Sequence, residues 1–175
     1  MIAKHMKSDS IFIYPTDTIY GIGCNALKTD TVKEIREIKK TKHPFSVIAP
    51  SFDWIKKNMV VTNEEYLYKL PGPYTFIMKK KKPTFLKEAS ESATLGIRVP
   101  NHPILKMVEQ ANIPFITTSA NVSGEETITS VTQISKEMLN KIDFIIDGGI
   151  LDNSPSEIID LTKKKPTILR SSKTA

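Results

Sequence analysis

Cysteine is nearly absent from this 175-residue chain: Cys24 stands alone, so no disulfide can form within it and a cysteine-built zinc cluster is disfavoured. A lone thiol fits a reducing, cytoplasmic setting. The three histidines, His5, His43 and His102, show no metal-ligand spacing. Glycine is scarce at seven residues, so each glycine is expected to mark a backbone position with special torsions. Aromatic residues make up 7% and lie mostly in apolar runs, which argues against a surface that stacks nucleic-acid bases between basic and aromatic side chains. No apolar run is long enough to cross a membrane, and the opening MIAKHMKSDS lacks the apolar core of a signal peptide. Walker A, dinucleotide-fold, nucleophile-elbow and His-Glu-x-x-His patterns are all missing.

What remains is an ordinary globular composition, 39% apolar and 25% charged, with a net charge of +6. That balance suits anionic partners such as nucleotide phosphates or RNA, and equally a plain lysine-rich surface. One domain is expected over residues 1–170, with a flexible tail at 171–175. Periodicity predicts strands at 11–14, 45–49, 74–79, 95–99, 114–118, 143–147, 157–161 and 167–169. It predicts helices at 31–40, 52–57, 63–70, 102–111 and 131–140. Thr31 and Glu34 have capping-box spacing, and Pro103 suits a first helical turn. Strands and helices alternate except near 74–99, where two strands follow each other across a lysine-rich loop. The expected fold is therefore α/β: a twisted, open sheet, mixed parallel and antiparallel, flanked by helices.

Four loops carry polar chemistry, and each lies beyond or between strands, where open α/β sheets place ligands. Thr16-Asp17-Thr18-Ile19-Tyr20-Gly21 ends the first strand in hydroxyls and a carboxylate. It forms either a polar ligand site or a turn that satisfies its own backbone. Lys39-Lys40-Thr41-Lys42-His43-Pro44 follows a helix, so its lysines serve either the helix dipole or nucleotide phosphates. Arg98, inside the apolar Leu95-Gly96-Ile97-Arg98-Val99, must be paired if buried. Its partner is either a structural carboxylate or a ligand carboxylate, and the strand's end at Pro100 favours the ligand. Thr117-Thr118-Ser119-Ala120-Asn121-Val122-Ser123-Gly124 packs hydrogen-bonding side chains after a strand, as a helix cap or a phosphate site would. Simpler readings fit other features: Lys79 to Lys82 as a solvated edge or a loop, Asp147-Gly148-Gly149 as a tight turn, Cys24 as core and Trp54 as packing.

Together these segments resemble the YrdC family of threonylcarbamoyl-AMP synthases. The resemblance rests on Pro15-Thr16-Asp17-Thr18-Ile19-Tyr20-Gly21, Leu70-Pro71-Gly72-Pro73-Tyr74-Thr75, Gly96-Ile97-Arg98-Val99-Pro100-Asn101-His102-Pro103 and Ser119-Ala120-Asn121-Val122-Ser123-Gly124. Asp143 to Gly149 and Ile168-Leu169-Arg170 extend it, all in the family's order. It implies a large positive cavity and a short, single-domain form. The implied reaction joins L-threonine, bicarbonate (or carbon dioxide) and ATP, with Mg²⁺ carried in on ATP. The product would pass to a threonylcarbamoyl transferase complex acting on tRNA position 37, and tRNA contact is compatible with it.

By the same resemblance, Thr16, Tyr20, Arg98, Thr117 and Ser156 would bind threonine, with Arg98 on its carboxylate. Lys39, Lys40, Lys42, Thr94, Ser119, Asn121 and Arg170 would bind ATP, with Mg²⁺ near Ser119 and Asn121. Lys39, Lys40 and Arg98 would be the catalytic groups. The chain departs from the family in three places. The lysine loop is shorter and lacks the arginine of Lys-x-Arg, leaving Lys42 as a substitute point charge. Glu125-Glu126-Thr127-Ile128-Thr129 replaces Pro-Ser-Pro-Thr, and Arg170-Ser171-Ser172 replaces Arg-Pro-Gly. Two other readings are an RNA-binding module of the same fold and a carbamoyl-transfer accessory domain of the hydrogenase-maturation type. The latter sits in longer chains with zinc-finger motifs, absent here.

Overall fold

The apolar stretch that ends at Tyr14 opens the sheet. In the computed structural model, which describes residues 2–172, it forms β1 (Phe12–Tyr14), preceded by a short helix, α1 (Ile2–Met6). Then follow β2 (Gly21–Gly23), α2 (Thr29–Lys39), β3 (Ser46–Ile48), α3 (Phe52–Asn58), β4 (Met59–Val60), β5 (Tyr74–Lys80), β6 (Thr94–Arg98) and α4 (Ile104–Ala111). The chain continues through β7 (Phe115–Ser119), α5 (Lys136–Leu139), β8 (Phe144–Ile145), β9 (Glu157–Asp160) and β10 (Thr167–Arg170). Among the described residues ten strands form one sheet, ordered β10-β9-β5-β6-β3-β7-β2-β1-β8, with β4 against β5. The pairs β1/β8, β3/β6 and β5/β9 are parallel and the rest antiparallel. The mixed α/β sheet expected from the sequence is thus present.

Alternation along the strands sends side chains to two apolar layers. Ile13, Ile22, Val47, Phe76, Ile97 and Ile116 face a larger layer that includes Val32, Ile35 and Ile38 of α2. Burying each of these large side chains contributes about 1.5–3 kcal/mol. The opposite face carries Phe12, Tyr14, Ile48 and Phe115, covered by Met6 of α1 and by Ile104, Val108 and Ala111 of α4.

Several elements differ from expectation. The helix expected at 31–40 begins two residues earlier, and Thr31 is buried within it rather than capping it. Its end is set by Lys40, whose left-handed φ of 49° lets the amides of Lys40 and Thr41 close on Glu37 and Arg36. The helix expected at 63–70 is a 3-10 turn, Glu64–Lys69. The one expected at 131–140 is split into a 3-10 turn, Val131–Gln133, and α5. The reason is two N-caps in close succession: Ser130 accepts the Thr132 amide and Ser135 the Met138 amide. Lys80, read as solvated, is buried and donates to the carbonyls of Phe85 and Ser90 at 2.9 Å each. The tail expected at 171–175 lies mostly outside the described residues.

The unexpected strand β2 explains two of the scarce glycines. β2 lies between β1 and β7, and the Tyr14 hydroxyl crosses it to donate to the Ile116 carbonyl at 3.1 Å. A Cβ on Gly21 would sit 3.1 Å from the Tyr14 ring; one on Gly23 would sit 1.8 Å from the Ile116 oxygen. Side chains here would collide with the ring or the neighbouring strand. Gly23→Ala is therefore expected to destabilise the protein by about 3 kcal/mol or more, at the upper end of overpacking costs. Denaturant unfolding checks this: a change below about 1 kcal/mol would show that the β2–β7 contact relaxes freely.

Candidate active site

The strand register builds a polar floor on the face that α1 and α4 cover elsewhere. Ser46 pairs with both Gly96 and Thr117; Ile48 pairs with Arg98; Thr75 and Arg170 both lie opposite Ile158. Going outward along the same face, apolar residues give way to hydroxyls: Ile48 to Ser46 on β3, and Phe115 to Thr117 and Ser119 on β7. Where the helices stop covering this face, a cavity of about 220 Å³ opens. Its walls include Thr18, Ser46, Thr75, Arg98, Ser156 and Arg170.

Arg98 is the best-buried cation of this cavity, 8% exposed. Its Nη2 donates to Asp17 Oδ1 at 3.0 Å and to Thr18 Oγ1 at 3.1 Å. The other Asp17 oxygen accepts the Asn101 amide at 2.9 Å. Burial lowers the Arg98 pKa, and the Asp17 charge works against that. The guanidinium is thus held by a structural carboxylate, yet its Nε–H is buried with no hydrogen-bond partner among the described residues. Such a donor costs stability unless something accepts from it.

Arg170 approaches from the last strand. Its Nε and Nη2 donate to the Ser156 carbonyl at 3.0 and 2.7 Å, and Nη2 reaches Ser156 Oγ at 3.2 Å. The Ser156 hydroxyl also shares a 2.8 Å bond with Thr75. Burial first, and the Arg98 charge second, lower the Arg170 pKa. Two cations therefore face one small polar volume. Tyr20 lies at its side, its hydroxyl donating to the Gly149 carbonyl at 2.7 Å and accepting the Gly148 amide at 2.9 Å. This ties down the segment that leads to Ser156.

Of the residues singled out in the sequence, Tyr20, Arg98, Thr117, Ser119, Ser156 and Arg170 line this cavity. Thr16 does not; its buried hydroxyl donates to the Ile19 carbonyl at 2.7 Å and pairs with Thr18. Thr94 bonds Ser92 at 2.9 Å, outside the cavity lining. Lys42 is exposed, and Lys40 is exposed in a 3.8 Å pair with Glu137. Asn121 lines a neighbouring cavity of about 270 Å³, which shares Thr127 with the first. Its amide nitrogen donates to the Val122 and Glu125 carbonyls, while its buried Oδ1 has no partner among the described residues. Sequence reading missed Ser46 and Thr127, and did not assign roles to Thr18, Thr75 and Thr118. A period-2 reading of 45–49 would have flagged Ser46, the polar residue between Phe45 and Val47.

Lys39 is buried at 4% exposure, and its ammonium points inward. It donates to the backbone carbonyls of Ser119 and Asn121, the latter at 2.7 Å, and lies 3.5 Å from Ser119 Oγ. The Ser123 amide returns a bond to the Lys39 carbonyl at 2.9 Å. Lys39 thus pins the 119–123 loop to the end of α2. Burial lowers its pKa to about 8.

The fold and site define a mixed-sheet α/β protein whose cavity is floored by hydroxyls and edged by two arginines. The chain belongs to the Sua5/YciO/YrdC family, whose model, described as telomere recombination, matches residues 4–172. It is 37% identical over 175 residues to the Methanocaldococcus jannaschii protein named "Putative threonylcarbamoyl-AMP synthase", covering 97% of this chain and 83% of that one. The crystal structure of Pyrococcus abyssi Sua5 complexed with L-threonine superposes with a TM-score of 0.86 at 32% identity, covering 98% of this chain and 53% of that one. This chain thus spans about half the length of the Pyrococcus protein. Escherichia coli YciO, whose name assigns no activity, superposes equally well: TM-score 0.86, 28% identity, 99% of this chain and 88% of that one.

The lowered Lys39 pKa has a pH consequence. Below pH 8 the fold carries a buried charge that costs stability. Between about 8 and the ordinary lysine value near 10.4, the unfolded chain still holds the proton and the fold does not. Unfolding then takes up a proton, so stability rises with pH across that window. Relative to Lys39→Met, the native protein is expected to gain roughly 2–4 kcal/mol between pH 7.5 and 10.5. Denaturant curves of both proteins read this difference; a pH-independent gap would mean that Lys39 titrates normally.

Proposed function

We propose that this protein is a threonylcarbamoyl-AMP synthase: L-threonine, bicarbonate (or carbon dioxide) and ATP yield L-threonylcarbamoyl adenylate and diphosphate. The observation that carries this reading is Arg98, which lines the cavity and, among the described residues, commits only Nη2 of its fork, to Asp17 and Thr18. A substrate carboxylate would pair with the rest of the fork. The likeness to a Sua5 structure complexed with L-threonine supports an amino acid as its source. The product would feed a transferase complex that modifies tRNA at position 37, a cytoplasmic role; tRNA contact with this protein is compatible with it.

The chemistry needs positioning and charge neutralisation rather than a covalent nucleophile. The neutral threonine amine attacks carbon dioxide, forming an N–C bond, and releases one N–H proton to solvent to leave a carbamate. A carbamate oxygen then attacks the α-phosphorus of ATP, and the bond to the departing diphosphate breaks. Arg98 would hold the threonine carboxylate, with Tyr20, Thr117 and Ser156 shaping the same end. Arg170 would bind the nucleotide where the cavity opens. Lys39, with Ser119 and Asn121, would order the loop beside the phosphates, while Lys40 and Lys42 would supply mobile charge.

Among the described residues no three His, Cys, Asp or Glu side chains gather into a metal cluster. Mg²⁺ would therefore be held chiefly by the ATP phosphates, with the unpartnered Asn121 Oδ1 as a fitting neutral donor. There it would neutralise the leaving diphosphate.

Purified protein with ATP, Mg²⁺ and bicarbonate is expected to release diphosphate only when L-threonine is added, and poorly with L-serine. Arg98→Lys keeps a charge but loses the fork, and should lower kcat/KM for threonine about 10²-fold or more. Thermal melts establish that the variant is folded. Threonine-independent release, or a folded Arg98→Lys protein with native kcat/KM, would overturn the reading.

A further inference from the structure

Most hydroxyls that line the cavity are already engaged. Thr75 and Ser156 bond each other, Thr18 bonds Thr16 and Arg98, and the Tyr20 hydroxyl is held by Gly148 and Gly149. Ser46 is different. It is half-buried at the start of β3, its side chain lines the cavity, and its hydroxyl makes no hydrogen bond within the described residues.

Its seat is made by a glycine. Ser46 lies directly opposite Gly96 in the parallel β3/β6 ladder, and a Cβ on Gly96 would fall 2.3 Å from Ser46 Oγ. Only glycine at 96 lets this hydroxyl lie over β6. Arg98 is two residues further along β6 on the same face, about 6.6 Å away by strand rise. That offset suits one small molecule that meets Arg98 at its carboxylate and Ser46 at a second polar group.

We propose that Ser46 is a specificity-determining residue, whose hydroxyl hydrogen-bonds the side-chain hydroxyl of the amino acid held by Arg98. This rests on the reading of the cavity as an amino-acid site and adds what selects the amino acid. A site that hydrogen-bonds a substrate hydroxyl discriminates against the analogue lacking it, because its own polar group is then left unpaired. The substrate class narrows to β-hydroxy amino acids, with L-2-aminobutyrate, which is threonine without its hydroxyl, as the disfavoured isostere.

The test is calorimetric binding of L-threonine and L-2-aminobutyrate to the full chain, native and Ser46→Ala. Native protein should prefer threonine. Ser46→Ala should weaken threonine binding about 3- to 10-fold, the size of one neutral hydrogen bond, and leave 2-aminobutyrate within 2-fold. Gly96→Ala, which displaces the hydroxyl without deleting it, should narrow the gap in the same way. A gap unchanged in Ser46→Ala, or an equal loss for both ligands, would overturn the proposal. The diphosphate assay separates the two ideas. Threonine-dependent release with an unchanged gap removes Ser46 alone; no release and no threonine binding remove the functional reading and Ser46 with it.

Discussion

The buried pair between Arg98 and Asp17 is the contact on which the site depends. Moving an arginine out of water costs several kcal/mol, and the cost is met only when the guanidinium is paired and hydrogen-bonded. Asp17 supplies the charge and Thr18 an added acceptor, both from the loop after β1. The second Asp17 oxygen takes the Asn101 amide, from the turn that leads into α4. One carboxylate therefore joins three pieces of chain: the β1–β2 loop, β6 and the entry to α4. It engages Nη2 and leaves Nε buried without a partner among the described residues. A loop that ends a core strand in Thr-Asp-Thr thus binds the cation that a ligand would meet.

The sheet places the rest by parity. Side chains two apart on a strand share a face, so the covering helices and the cavity divide one face between them. Tyr14 marks the border. Its ring lies under the helices with Phe12 and Phe115, and its hydroxyl reaches across β2 toward the cavity strand β7. That crossing requires Gly21 and Gly23. At the other end, Gly96 makes room for Ser46. The scarce glycines of this sheet are thus places where a neighbouring side chain lies over the backbone, rather than places where the chain turns.

This distinction shows how far the sequence could be read. Longer elements with strong periodicity, such as α2 and β5, were legible because one hydrophobic face specifies them. So was Arg98 as a cavity residue, since an arginine in an apolar strand needs a reason. β2 was not legible, because Gly-Ile-Gly has poor strand propensity and pairs only by long-range contacts. The helix at 131–140 was misread as continuous because its periodicity runs through Ser135, whose cap restarts the chain. The burial of Lys39 was hidden for another reason. Neighbouring lysines look alike in sequence, and the left-handed turn at Lys40 sends one inward and the other out.

The two halves of the site are consequently built from different materials. The half around Arg98 is made of strand residues fixed by ladder register, so its geometry exists before any ligand arrives. The half around Asn121 is a loop, held by the Lys39 ammonium and by the bonds of Asn121 to the Val122 and Glu125 carbonyls. An ammonium has three donors, and Lys39 spends two of them on the Ser119 and Asn121 carbonyls. What a bidentate arginine would do for a phosphate is not available here, because the lysine loop has Thr41 and Lys42 and no arginine. The chain uses Lys39 and Arg36 to hold backbone carbonyls, and two of its three arginines, Arg98 and Arg170, line the cavity. The fixed arginine forks thus stand on the strand-built side, where Ser46 also lies, while the loop side offers backbone amides, hydroxyls and solvated lysines.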